Sequence, residues 1–215
     1  MMRFTTMKTK LRKYPSIFLI LLLAISSCFL TGCVNQHPKD SKKISQGESV
    51  ETMLEITDPK EKQAVLNAKA KVKALSGNPR IVATSPAVAD ICDKLDLDLV
   101  GVPKSSVSKI PSRYKKVKKV GLAMSPDMEI VSSLNPDWIL APSSLETDLK
   151  PKFEELKNTE YAFLNLRSVQ GMYRSVQELG EIFGKQQEGE KMTKEFTTFY
   201  KSYTKTENIH PKFSY

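Results

Sequence analysis

From Arg80 onward the chain alternates short β-branched runs with helical patterns, and this alternation constrains the fold more than any other feature. The strand-like runs are RIVAT, LDLVGVP, KKVGLA, DWILAP and YAFLNL; the helical ones between them include PAVADICDKL, SPDMEIVSSL and SLETDLKPKFEEL. Strands joined through single helices need crossover connections, so most strand pairs are predicted to be parallel, with helices on both faces of the sheet. The fold class is therefore α/β, and the strand ends form the rim where ligands of such sheets bind.

Two helices carry proline near an expected N-terminus, at Thr84-Ser85-Pro86 and at Ser125-Pro126-Asp127. A hydroxyl residue caps free amides there, and proline loses nothing in the first turn because its missing N–H had no partner to lose. Asp127 and Glu129 complement the dipole of the second helix. The first has no acid before Asp90, which leaves Ser85, Ala87 and Val88 as a candidate anion site; the ordinary alternative is that Ser85 only caps its own helix. Further on, Val169 to Phe183 is apolar at helical spacing. A break is expected near Gly184 to Gly189, then a helix bearing an aromatic stripe at Phe196, Phe199, Tyr200 and Tyr203.

The N-terminus reads as an address, not as part of the fold. A basic stretch to Lys13 precedes an uncharged run from Ile17 to Leu30, too short for a membrane span, and then Thr31, Gly32 and Cys33. Leu30 to Cys33 resembles a bacterial lipobox, which implies a signal peptide at 1–32 and lipid on Cys33; the alternative is a secreted chain with an incidental thiol. Residues 33–57 are polar and lysine-rich, a tether by composition. Residues 58–78 predict a lightly packed surface helix with Asp58 as N-cap, Pro59 in the first turn and Gly77 past the end. The net charge of +9 suggests nucleic acid only until it is divided. Five of the 33 bases and none of the 24 acids lie in residues 1–32, so the rest carries +4, which argues against a nucleic-acid partner.

In order behind that lipobox, PRIVATSPAVADICDKLDLDLVGVP, RYKKVKKVGLAMSPDMEIVSSLNPDWILAP and SVQGMYRSVQELGEIFG resemble the haem-binding lipoproteins of Gram-positive haem ABC importers, the iron-regulated surface determinant E type. SLNPDWIL also recurs across the wider iron-siderophore and cobalamin receptor family. The resemblance spans roughly Asn78 to Thr204. It implies the N-terminal lobe of a class III periplasmic-type binding protein at 79–184, a bridging helix at 185–205 and, at 206–215, the start of a truncated second lobe. It also implies a lipid-anchored receptor on the outer face of the membrane that delivers haem to an ABC permease and its ATPase. The alternatives are a ferric-siderophore or cobalamin receptor, or a non-functional truncated product.

Carried onto this chain, the resemblance makes Met124, before Ser125-Pro126-Asp127, an axial haem-iron ligand; a thioether is a soft neutral donor suited to that metal. Read alone, Met124 is a gap-filling core residue. Glu129 takes the place of a permease-docking glutamate, against the plainer role of a helix-start carboxylate. Helix amides at Ser85 to Val88 would receive the haem propionates. The second axial histidine is expected in the other lobe, since His37 falls in the tether and His210 in the tail.

An enzyme is not expected. There is no GxSxG, HExxH, CxxC or glycine-rich phosphate loop, and neither histidine lies within the α/β pattern. Once Cys28 leaves with the signal and Cys33 is lipidated, only Cys92 remains, so no internal disulfide is expected.

Overall fold

Five parallel strands form one sheet in the order β3-β2-β1-β6-β7: β1 is Ile81–Ala83, β2 Leu99–Val102, β3 Lys118–Lys119, β6 Trp138–Pro142 and β7 Glu160–Leu164. The structure is a computed structural model that describes Leu54, Ile56 and residues 58–207, with side chains to Ser202. Cys33, His37 and His210 lie outside the described residues. Two further short strands, β4 (Gly121–Leu122) and β5 (Ser125–Pro126), pair antiparallel as a separate hairpin. The helices are α1 (Pro59–Lys73), α2 (Pro86–Lys94), α3 (Met128–Ser133), α4 (Glu146–Glu154), α5 (Val169–Phe183) and α6 (Gln186–Glu207).

Strand periodicity of two builds the layers. Ile81, Ala83, Trp138, Leu140, Ala162 and Leu164 face one way and join Val88, Ile91 and Cys92 of α2 with Val176, Leu179 and Ile182 of α5. Their neighbours Val82, Ile139, Ala141, Tyr161 and Phe163 face the other way, against Val131 of α3 and Leu149 and Phe153 of α4. Phe153 stacks on Phe163 with ring centroids 5.8 Å apart. Both faces of the sheet are dry, which is why its central strands read as unbroken apolar runs.

Starting from β1, the chain runs outward through β2 to β3, then returns to the other side of β1 as β6 and continues to β7. The order therefore reverses between β1 and β6. Such a reversal separates the connections on either side and opens a crevice at the carboxyl ends of the strands. At the opposite end the Arg80 guanidinium donates to the carbonyls of Leu134 and Asn135, closing α3, while Asp137 accepts from the Arg80 amide. These bonds pin the C-terminus of α3 beneath β1 and leave its N-terminus at the rim.

Two expectations need correction, on α1 and on Ser125, and the expected break near Gly184 to Gly189 is narrowed. Helix α1 is more than a lightly packed surface helix: Val65 and Ala68 are buried in the core, and Arg174 of α5 donates at 2.6 Å to Glu61, itself buried. The ion pair was out of reach of apolar spacing, because charged residues make it. Gly189 does not break the chain; the break is Gly184 in left-handed conformation, and Gly189 lies inside α6, where a Cβ would stand 3.4 Å from the Val176 carbonyl of α5. A small residue there lets the two helices approach closely. Ser125 is not a helix cap: it pairs in β5, and the Asp127 carboxylate caps α3 by accepting from the Ile130 amide at 3.1 Å.

The expected caps of α1 and α2 do form. The Lys60 amide donates to Asp58 at 2.8 Å and the Val88 amide to the Ser85 hydroxyl at 3.3 Å. Within the aromatic stripe Phe196 stacks on Tyr173 with centroids 4.3 Å apart and is half-buried, as is Tyr200, whereas Phe199 is exposed.

Candidate functional site

The rim begins where β1 ends. Thr84 is buried and binds the Leu140 carbonyl of β6 through both its amide and its hydroxyl, so the β1 and β6 ends are locked side by side at the reversal point. Ser85 follows and opens α2. Of the amides assigned to an anion, that of Val88 is already committed to the Ser85 hydroxyl. Proline has none to offer. What remains toward solvent is the amide of exposed Ala87, with the Ser85 hydroxyl proton beside it. The candidate anion site is thus narrower than Ser85, Ala87 and Val88 together.

The hairpin β4-β5 stands at the same end of the sheet. The Val120 amide donates to Val102 and the Lys104 amide to Gly121, which fasten it to the end of β2. The Asp127 amide then donates to the Val120 carbonyl at 2.7 Å and closes its base. Gly121 sits at φ 96°, and a Cβ there would lie 2.9 Å from the Asp127 amide nitrogen, so only glycine makes this corner without strain. Ala123 and Met124 form the tip.

Met124 is 73% exposed and Leu122, across from Ser125, is 60% exposed. The gap-filling alternative for Met124 fails: an apolar side chain is held out on the hairpin with nothing packed over it among the described residues. Ser85 and Met124 thus belong to one rim, on connections leaving β1 and β3, two strand spacings or roughly 10 Å apart in the sheet. Glu129 is exposed in the first turn of α3, immediately behind the hairpin, and takes part in no ion pair among the described residues. On the far side of the reversal, Ser143, Glu146, Asn165 and Arg167 line a polar hollow past the ends of β6 and β7. A more apolar hollow among α1, α5 and α6, lined by Val65, Leu66, Gln177 and Gln186, sits toward the C-terminal end of α5, remote from the rim.

The hairpin is what sequence reasoning missed. GLAMSP reads as the end of a strand followed by a capped helix, yet Gly121, at a position needing positive φ two residues before the tip, was the available signal. Cys92 offers no chemistry, since complete burial pushes its thiol up to about 12.

Residues 81–206, more than half of the chain, match the periplasmic binding protein family. The chain belongs to that family. Among its relatives, the high-affinity heme uptake system protein IsdE of Staphylococcus aureus (strain Newman) is 35% identical over 117 residues, 54% of this chain and 39% of that protein. A solved ABC transporter substrate-binding protein from Listeria monocytogenes EGD-e is 43% identical with a TM-score of 0.54, covering 57% of this chain and 46% of its own. S. aureus IsdE complexed with heme is 31% identical with a TM-score of 0.57, covering 64% and 52%. This periplasmic binding protein chain therefore spans between about two-fifths and one-half of the relatives it matches. The parallel sheet flanked by helices is the fold of the family, and the family is one of substrate-binding proteins. Among the described residues no helix is long and apolar enough to cross a membrane.

Proposed function

We propose that this chain forms the haem-facing lobe of a substrate-binding lipoprotein that captures haem at the cell surface and passes it to an ABC permease with its ATPase. One observation carries the reading: Met124 is held bare at the tip of a fastened hairpin on the ligand-binding rim, in a chain similar to a receptor solved with heme. A thioether binds iron without first losing a proton and suits the apolar face of a porphyrin. In this reading the Ala87 amide and the Ser85 hydroxyl, at the N-terminus of α2, receive a propionate, and the first turn of that helix has no acid of its own to compete. Val88 orients Ser85 and does not itself contact the anion. Haem enters here as cargo, and no step of chemistry on it is required.

Lipid on Cys33 would hold the receptor to the outer face of the membrane, and exposed Glu129 would meet a base on the permease. Both belong to this reading as proposals of their own. The test is a haem titration of the chain and of Met124→Ala, followed by optical absorption. The variant is expected to show a displaced Soret band and binding at least about tenfold weaker, equivalent to about 1.4 kcal/mol. Identical spectra and affinities would remove Met124 from the site.

A further inference from the structure

Charge is unevenly spread over the lobe. Between Pro103 and Pro126 stand seven bases, Lys104, Lys109, Arg113, Lys115, Lys116, Lys118 and Lys119, and not one acid. In the fold this stretch is the β2-β3 connection, the edge strand β3 and the hairpin behind it. Arg113 is answered: its guanidinium meets Asp96 and Asp98 at 2.8 Å each and Asp93 at 3.8 Å. The one other acid near the β2-β3 loop, Asp90, is paired to Lys94 at 2.9 Å. None of the six lysine ammonium groups has an ion pair among the described residues, and all but Lys119 are exposed. At the tip of the loop, within a turn that the Ser105 hydroxyl closes by accepting from the Ser108 amide, Val107 is 95% exposed.

We propose that this edge of the lobe rests on an anionic lipid surface, with Lys109, Lys115 and Lys119, which border one hollow together with Val107, and the lysines flanking them among the headgroups, and Val107 at the apolar boundary. Lysines along an edge strand also deter strand-to-strand pairing, but that purpose needs β3 alone and does not extend to Lys104, Lys109, Lys115 and Lys116 in the connection. The residue choice points away from a protein partner. Lysine is depleted from the cores of protein interfaces, and this face has no aromatic anchor and no arginine free for a bidentate contact. A compact, hydrated ammonium suits a diffuse field of phosphates. The bare valine separates a bilayer from a soluble polyanion, because only the bilayer has somewhere to put it. The hairpin with Met124 adjoins this face, so a lobe resting on it would carry the ligand rim close to the membrane. The inference goes beyond the proposed function and does not depend on which ligand the rim holds.

The experiment is partition of the full chain onto phosphatidylglycerol-containing vesicles and onto pure phosphatidylcholine vesicles. It compares the chain with a variant carrying Lys109→Gln, Lys115→Gln, Lys116→Gln and Lys118→Gln, and with Val107→Ser. Whatever the N-terminal segment contributes is common to all three. Each lysine at such a surface is worth about fivefold, so the four-lysine variant should lose at least about 25-fold on anionic vesicles, the effect of two, and little on neutral ones. The preference should fade as salt rises, and Val107→Ser should weaken anionic partition. An undiminished anionic preference in the four-lysine variant, with a native melt, overturns the proposal. Lysine-dependent binding of inorganic polyphosphate, together with vesicle partition that ignores Val107→Ser, overturns it as well by assigning the face to a soluble polyanion.

Discussion

Glu178 is fully buried in α5, and neither of its carboxyl oxygens meets a donor among the described residues. Burial first, and then the Glu61 carboxyl beside it, push its pKa up to about 8. Glu61 gives one oxygen to Arg174 and keeps the other bare. The proton that Glu178 retains spares the cluster a second buried carboxylate charge beside Glu61. In the unfolded chain Glu178 titrates near the usual value of about 4.3. Between that value and about 8 the native state therefore holds a proton the unfolded state has released, and stability falls as pH rises through this window. Thermal melts from pH 4.5 to 8.5 should show the decline, amounting to at most a few kcal/mol. Glu178→Gln should flatten that part of the curve, since an amide keeps a donor at every pH. An equal slope in the variant would show that the proton resides elsewhere. The cluster escaped sequence reading because Glu61 and Glu178 look like ordinary solvated positions on helices.

At the scale of elements, the segment from Gly121 to Asp127 decides whether Met124 reaches the rim. Gly121→Ala places a Cβ 2.9 Å from a backbone nitrogen at positive φ. A strained backbone site of this kind costs about 1–3 kcal/mol. The expected outcome is a lower midpoint in denaturant and weaker haem binding, although Met124 itself is untouched. Separate titrations of Ser125→Ala and Asp127→Ala test where α3 begins. The Asp127 carboxylate accepts from the Ile130 amide, so its loss should cost about 1 kcal/mol in a urea melt, while loss of the Ser125 hydroxyl should cost far less. Reversed costs would restore Ser125 as the cap.

Taken as a whole, the lobe buries both faces of its sheet but not all of α6. That helix, about 33 Å long at 1.5 Å per residue, is anchored through Phe196 on Tyr173 while Phe199 stays 68% exposed. With half-buried Phe196 and Tyr200 beside it on the helix, Phe199 leaves an aromatic face that association would cover. Sedimentation of the chain at rising concentration should reveal self-association that Phe199→Asp reduces. A concentration-independent monomer for both proteins would show that the exposed face is inert.

The succession of elements was legible without a structure because it rests on local physics. Runs such as WILA in β6 and YAFL in β7 are apolar at every position, as strands buried on both faces must be, and Asp58 and Ser85 bind amides two and three residues on. The α/β class and the parallel pairing follow from those elements and from the length of chain between them. Contacts between distant residues were not legible. No pattern in α1 announces that Glu61 meets Arg174, 113 positions away, and none in GLAMSP distinguishes a strand running into a capped helix from a hairpin that lifts Met124 into solvent. Residue types and spacing set the local conformation of each segment; which side chain is bare and which buried was settled only when the elements packed, because burial belongs to the neighbours that packing supplies.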